Sequence, residues 1–242
     1  MFNLTGKKAL ITGSTQGIGF AVAKILSEHG AKTFISGRES EEKLLKASSM
    51  IPGSTGILAN LGDSDCAEKM YAVSGDVDIL VLNASVQVRR PWDEITDEDF
   101  DLQISVNLKS SLKLLQKYVP HMKEQKWGRI VIVGSVQQEK PHKDMLVYSA
   151  IKSALLNITC NLAKQLAPYG ITVNNVAPGV ILTPRNDEAL SDSNYKNAVL
   201  SNIPSGFMGE SEDCATQILL LCSDEGRYIT GADIFIDGGM KL

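Results

Sequence analysis

Lys8-Ala-Leu-Ile-Thr-Gly-Ser-Thr-Gln-Gly-Ile-Gly-Phe20 is the stretch whose reading decides the fold. Ala9-Leu10-Ile11 is a short apolar run of the kind that forms a buried strand, and Thr12-Gly13 opens a turn behind it. Gly17 and Gly19 then bracket the start of a helix whose apolar face is Phe20, Val22, Ala23, Ile25 and Leu26. A strand–turn–helix of this sort presents free backbone N–H groups and the positive end of a helix dipole, which suits a pyrophosphate. Glycine is needed there because a Cβ would block the tight turn or the approach of phosphate. The spacing is Gly-x3-Gly-x-Gly rather than the more general Gly-x-Gly-x-x-Gly.

Outward from this turn, the chain alternates. Gly30 ends the first helix, and Lys32–Ser36 reads as a second strand followed by Gly37-Arg38-Glu39. A carboxylate at about this distance past the glycines holds the ribose of NAD, whereas an Arg suits the 2′-phosphate of NADP. Arg38 therefore favours NADP, with NAD possible, and Glu39 takes the acidic role if the strand ends one residue later. A helix over 41–49, a strand over 55–59, a helix capped by Asp63 and the apolar strand 78–83 follow. Thr96 caps a helix that runs on through 100–123 as one long or two consecutive helices, with Asn107 inside it. Residues 129–135 form the next buried strand, ending at Ser135. On the helix that begins near Leu146, Tyr148 and Lys152 are four apart and share a face, at the flank of the stripe formed by Ile151, Ala154, Leu155, Ile158 and Leu162 and so near the protein–solvent rim. Strand 171–177 closes with Pro178-Gly179. Residues 183–211 break the alternation with a polar insertion, helical over 187–201, and this is a candidate lid. A helix over 214–223 and a strand over 233–237 finish the chain. Uninterrupted apolar strands separated by amphipathic helices indicate a parallel sheet covered on both faces. Ligands of such sheets sit beyond the carboxyl ends of the strands, which puts Gly13, Arg38, Asn60 and Asn83 along one edge.

The bulk numbers fit this picture. The chain has 242 residues, 43% hydrophobic and 21% charged, enough for one larger domain. A net charge of −4 argues against a nucleic-acid protein. No apolar run marks a membrane span and no signal-peptide core follows Met1, so a cytoplasmic protein is expected. Cys66, Cys160, Cys214 and Cys222 form no CxxC pair and read as reduced, mostly buried thiols. His29, His121 and His142 are scattered, and no metal site is expected.

Thr12-Gly-Ser-Thr-Gln-Gly-Ile-Gly19, Asn83-Ala84, Asn107, Ser135, Tyr148-x3-Lys152 and Pro178-Gly179 occur in this order. Together they resemble the short-chain dehydrogenase/reductase family, over nearly the whole chain from Leu4 to Gly239. The chain departs from the family pattern twice: Ser85 follows Asn83-Ala84 where the family usually has glycine, and Gln16 stands where many NADP-using members carry a basic residue. The resemblance implies one doubly wound, Rossmann-type α/β domain over 1–242, with a seven-stranded parallel sheet, helices on both faces and 183–211 as a substrate-loop insertion. It implies Tyr148 as general acid, Lys152 lowering the phenol's pKa and holding the nicotinamide ribose, Ser135 donating to the substrate oxygen, and Asn107 holding a water that links Lys152 to solvent. It places the cofactor against Thr12, Gly13, Ser14, Thr15, Gln16, Gly17, Ile18, Gly19, Arg38, Asn60, Leu61, Asn83, Ala84, Tyr148, Lys152, Pro178, Gly179, Ile181 and Thr183.

The expected pocket rim is polar and partly cationic: Gln137, Gln138, Arg89, Arg90, Arg185 and Asn186, of which Gln137, Arg185 and Asn186 are the expected substrate contacts. Such a rim suits a hydroxyl-rich small molecule bearing a carboxylate. Gln87-Val-Arg-Arg90, Ser135-Val-Gln137 and Ile203-Pro-Ser-Gly look similar to family members acting on sugar acids, such as gluconate 5-dehydrogenase. The alternatives are a 3-oxoacyl-carrier-protein reductase, whose acidic partner the same arginines would dock, and a non-enzymatic NADP sensor or scaffold. A homotetramer is expected by resemblance alone.

Overall fold

The computed structural model describes residues 1–242, the side chains of 188 and 189 excepted. Seven strands form one sheet: β1 (Lys8–Ile11), β2 (Lys32–Gly37), β3 (Thr55–Leu58), β4 (Ile79–Leu82), β5 (Gly128–Val133), β6 (Ile171–Pro178) and β7 (Asp233–Ile236). Their order is β3-β2-β1-β4-β5-β6-β7, and every pairing is parallel. The order reverses between β1 and β4, so the chain leaves these neighbours in opposite directions and opens a crevice beyond their carboxyl ends.

The strands alternate between two cores, as the two-residue repeat of a pleated strand requires. Leu10, Leu80, Ile130, Ile132 and Val173 point to one face, where α3 (Cys66–Ser74), α5 (Ser110–Gln125) and α6 (Leu146–Leu166) cover them. Ile11, Val81, Val131, Val133 and Val176 point to the other, against α1 (Gly17–Glu28), α2 (Glu41–Ser49) and α9 (Ser211–Cys222). By length and composition α6 with its short extension, Leu146–Tyr169, is apolar enough to cross a membrane. Here Val147, Ile151, Leu155 and Ala163 pack into the first core instead.

Helix boundaries depart from the sequence pattern where local capping intervenes. Asp63 does not cap α3; Asp65 precedes its first residue, while the Asp63 carboxylate pairs with Lys69. The expected helix over 187–201 is two, α7 (Asp187–Ser191) and α8 (Ser193–Ser201). Asp192 between them is extended and accepts bonds from Asn194 and Tyr195 N–H, the geometry of an N-cap that starts a fresh helix. The 100–123 segment comprises α4 (Asp97–Gln103), a π-helical turn at Ile104–Lys109, and α5. Thr96 caps α4 as expected, accepting from Asp99 N–H. Cys66, Cys214 and Cys222 are buried free thiols and Cys160 is exposed.

Candidate active site

The turn after β1 is built from hydrogen bonds that close on themselves. The buried Thr12 hydroxyl accepts from the N–H groups of Asn83 and Ala84, both at 3.0 Å, tying β1 to the end of β4. Asn83 Nδ2 donates back to the carbonyls of Thr12 and Gly13 at 2.9 Å. Ser14 Oγ donates to Ile11 O and accepts from Ser36 N–H, binding the turn to β2. Two of the glycines are dictated by this geometry. At Gly13, φ is +62° and a Cβ would lie 2.8 Å from Ala84 Cα. At Gly19 a Cβ would lie 2.5 Å from both Gly13 O and Asn83 Nδ2. Ahead of α1, Gln16 is extended and makes no side-chain cap bond, so the first N–H groups of the helix stay open toward the crevice.

That crevice is a cleft of about 880 Å³ along the carboxyl edge of the sheet. Its walls bring together most of the residues singled out from the sequence: Gly13, Thr15, Gln16, Gly17 and Ile18 from the turn, Arg38, Asn60 and Leu61 from the ends of β2 and β3, and Asn83 and Ala84 after β4. Ser135, Gln137, Tyr148 and Lys152 line it, as do Pro178, Gly179, Ile181, Thr183, Arg185 and Asn186. Thr12, Ser14, Gly19 and Asn107 do not reach the wall. The first three lie behind it, where their polar groups or their lack of a side chain shape the turn.

Asn107 stands behind the wall. It lies in the π turn, 1% exposed, and its amide clasps the backbone of Val86: Val86 N–H donates to Oδ1 and Nδ2 donates to Val86 O, both at 2.8 Å. The amide's hydrogen bonds therefore brace the loop after β4. A π turn widens the helix and disturbs its carbonyl ladder. Here the hydroxyls of Ser110 and Ser111 donate to the carbonyls of Val106 and Asn107.

Tyr148 and Lys152 are buried, 5% and 2% exposed, rather than at the protein–solvent rim that the helical pattern indicates. Ser85, Ser135 and Arg185, from the loops after β4, β5 and β6, act on Tyr148, and the end of β5 holds Lys152. Lys152 Nζ donates to Val133 O at 2.6 Å and sits 5.4 Å from the centre of the Tyr148 ring. Burial pushes the phenol's pKa up. The Lys152 ammonium, the Arg185 guanidinium and the hydroxyls of Ser135 and Ser85 outweigh it, and the phenol ends below the ordinary tyrosine value. Burial likewise lowers the Lys152 pKa, against the attraction of Tyr148 and with the repulsion of Arg185.

Ser135 is held as the first residue of a short 3₁₀ turn, its hydroxyl accepting from Gln137 N–H. Behind it, Gln138 bonds to Asp233, and Asn175 of β6 donates to both Gln138 and Asp233. Gln138 is thus a brace and not a rim residue. Arg90 is likewise off the wall, in an ion pair with Asp99. Gln137 faces the cleft while its Oε1 accepts from His142 N–H, and Asn186 Nδ2 donates to Ile181 O. Arg38 is exposed and makes no ion pair among the described residues, whereas Glu39 is paired with Lys43. The sequence reading missed Ser36, Val106, Val133 and Met145 on the wall. Ser36 and Val133 could have been found as the carboxyl-end residues of β2 and β5. It also missed the side-chain part of Ser85, which no spacing signals. A phenol held acidic beside a fixed cation and a hydroxyl donor is equipped to exchange a proton with a carbonyl or alcohol oxygen.

A family model described as enoyl-(acyl carrier protein) reductase matches residues 13–241. The 3-oxoacyl-[acyl-carrier-protein] reductase FabG of Rickettsia conorii is 35% identical, covering 100% of both chains. Two solved structures from Agrobacterium tumefaciens superpose closely. A 3-oxoacyl (acyl-carrier-protein) reductase with NADP bound has a TM-score of 0.91 at 32% identity, covering 98% of this chain and 95% of that one. A candidate gluconate dehydrogenase has a TM-score of 0.95 at 27% identity, covering 99% and 98%. With the ordered motif set, the parallel sheet and the cleft agreeing with these matches, the chain belongs to the short-chain dehydrogenase/reductase family and is an oxidoreductase.

Proposed function

We propose that this protein transfers a hydride between NADP(H) and a ketone or secondary alcohol, with a small hydroxylated acid such as a sugar acid as substrate. The observation that carries the reading is the buried Tyr148–Lys152 pair, which lines the cleft together with Ser135 and the Arg185 guanidinium. The glycine cradle that no Cβ fits and the open start of α1 suit a dinucleotide. When bound, NADP(H) supplies or accepts the hydride.

The remaining steps belong to the chain. Thr15, Gln16, Gly17 and Ile18 hold the phosphates, Arg38 pairs with the 2′-phosphate, and Asn60 and Leu61 border the adenine. Asn83, Ala84, Pro178, Gly179, Ile181 and Thr183 border the nicotinamide end. Thr12, Ser14 and Gly19 act through the turn they shape, and Asn107 through Val86. Tyr148 gives its proton to the substrate oxygen in reduction and takes it back in oxidation. Lys152 stabilises the phenolate, and Ser135 donates to the oxygen as charge builds on it. Residues 183–211 act as the substrate loop, bringing Arg185 to the carboxylate with Gln137 and Asn186 beside it. Phe100, Leu102, Leu112 and Leu146 are exposed on α4, α5 and α6 and support assembly into a homotetramer, checked by light scattering.

The second reading, a 3-oxoacyl-carrier-protein reductase, is favoured by the relatives that carry that name. Rates of NADPH oxidation with 5-ketogluconate and with an acetoacetyl thioester separate the two. Turnover of the thioester alone removes the sugar acid.

A further inference from the structure

Ser85 stands where the family pattern has glycine; it lines the same cleft as the reacting phenol and holds the substrate loop through Arg185. Arg185 reaches it across the cleft: Nη1 donates to Ser85 Oγ at 3.0 Å and Nη2 to Ser85 O at 2.6 Å. The two residues are a hundred positions apart, and the guanidinium has no acidic partner among the described residues. A guanidinium has five N–H donors and no acceptor. Two are committed to Ser85, and the others remain for a planar anion, which a carboxylate matches with two parallel bonds.

The same donor-only character orients the serine. Because Arg185 can only donate, Ser85 Oγ must accept from it, which leaves the serine's own O–H free for a further acceptor; Ser85 is also among the groups that lower the phenol's pKa. The charged groups facing that phenol are Lys152 on its own helix and Arg185 from the loop after β6; the loops after β4 and β5 contribute the uncharged Ser85 and Ser135.

We propose that Ser85 is a positioning residue that latches Arg185 over the catalytic phenol, so that the guanidinium's free edge receives a carboxylate and selects ketones and alcohols that carry one. This rests on the hydride-transfer reading above and names the feature of the substrate that the site reads. A glycine at 85 keeps the carbonyl bond but loses the hydroxyl, and with it the second bond to Arg185.

The test compares wild type with Ser85→Ala, Ser85→Gly and Arg185→Gln, using NADPH with 5-ketogluconate and with an uncharged ketohexose. Wild type prefers the ketonate. Hydrogen bonds to charged groups of this kind correspond to about a 10- to 100-fold change, so Arg185→Gln raises KM for the ketonate by that range, well beyond any change in KM for the ketohexose. Ser85→Ala and Ser85→Gly raise the ketonate KM by about tenfold. Independently of any substrate, the tyrosinate absorbance of Tyr148 is titrated as the difference between each protein and its Tyr148→Phe counterpart. Its midpoint rises in all three variants.

Equal loss of both substrates, or a wild type indifferent to the carboxylate, overturns the selection. A midpoint unmoved by Ser85→Ala and Arg185→Gln overturns the latch. Should wild type reduce neither these ketones nor an acetoacetyl thioester, it is the hydride-transfer reading that fails. The tyrosinate titration then still decides the latch on its own.

Discussion

The turn after β1 and the loop after β6 meet across the cleft, where a Cβ at Gly17 would come 3.2 Å from Thr183, yet they are held in opposite ways. In the turn the buried polar side chains are engaged by near backbone. Thr12 and Asn83 bond to each other's main chain, and Ser14 joins its own strand to β2. Such closed, desolvated networks are rigid, because breaking one bond leaves a buried group without a partner. In the loop the donors are exposed, and Arg185 depends on one residue of another segment. The difference separates a cradle that holds an invariant shape from a rim that keeps donors available for a ligand.

The largest effect is expected where both regions converge. Tyr148→Phe should lower kcat by about 10²- to 10⁴-fold while leaving NADPH binding, followed by fluorescence, in place. Retained turnover would mean that neither region serves an acid–base step at this phenol. Next comes the rigidity of the turn. Gly19→Ala should destabilise by about 1–3 kcal/mol in denaturant unfolding, because backbone and the Asn83 amide occupy the space of the new methyl. It should also weaken NADPH binding. Gly206→Ala in the loop has open space and only an unfavourable φ of +77°, so about 1–2 kcal/mol is expected, with NADPH affinity unchanged. Equal losses of affinity in the two variants would erase the distinction between cradle and rim.

Asn83→Ala should cost about 1–3 kcal/mol of stability, since it leaves the carbonyls of Thr12 and Gly13 without their donor. A smaller and more selective effect is expected at Arg38. Arg38→Ala should weaken NADPH binding by about tenfold relative to NADH, the loss of one exposed charge-assisted contact. Equal affinities before and after would remove Arg38 from cofactor choice.

The pH dependence sharpens the picture from the chemical side. The phenol's pKa lies below the ordinary tyrosine value, and reduction needs it protonated. Reduction should therefore fall as pH rises through that lowered value, and oxidation should fall as pH drops below it. Lys152→Met removes the attractive charge and should move both limbs to higher pH. An unmoved profile would dissociate the ammonium from the phenol's acidity.

What was legible in the residues is what short-range rules determine. Seven apolar strands between amphipathic helices specify a parallel sheet, and small residues after β1 specify a turn that a side chain would fill. The spacing of Tyr148 and Lys152 puts both on one helical face whatever surrounds them. Burial of that face was not legible. Ser85 and Arg185, a hundred residues apart in the chain, both act on the pair, and the helical pattern alone left it at the rim. Asn107 stood out as an amide inside a helix, but only the π turn and the Val86 backbone show what it holds. Gln138 and Arg90 shared the expected rim with Gln137 and Arg185, and packing shows the first two to be braces while the latter two line the cleft. Local chemistry, then, determined the strands, the turn and the paired side chains. The folded chain decided which polar groups are satisfied by their neighbours and which remain for a ligand, because that depends on partners brought together from distant segments.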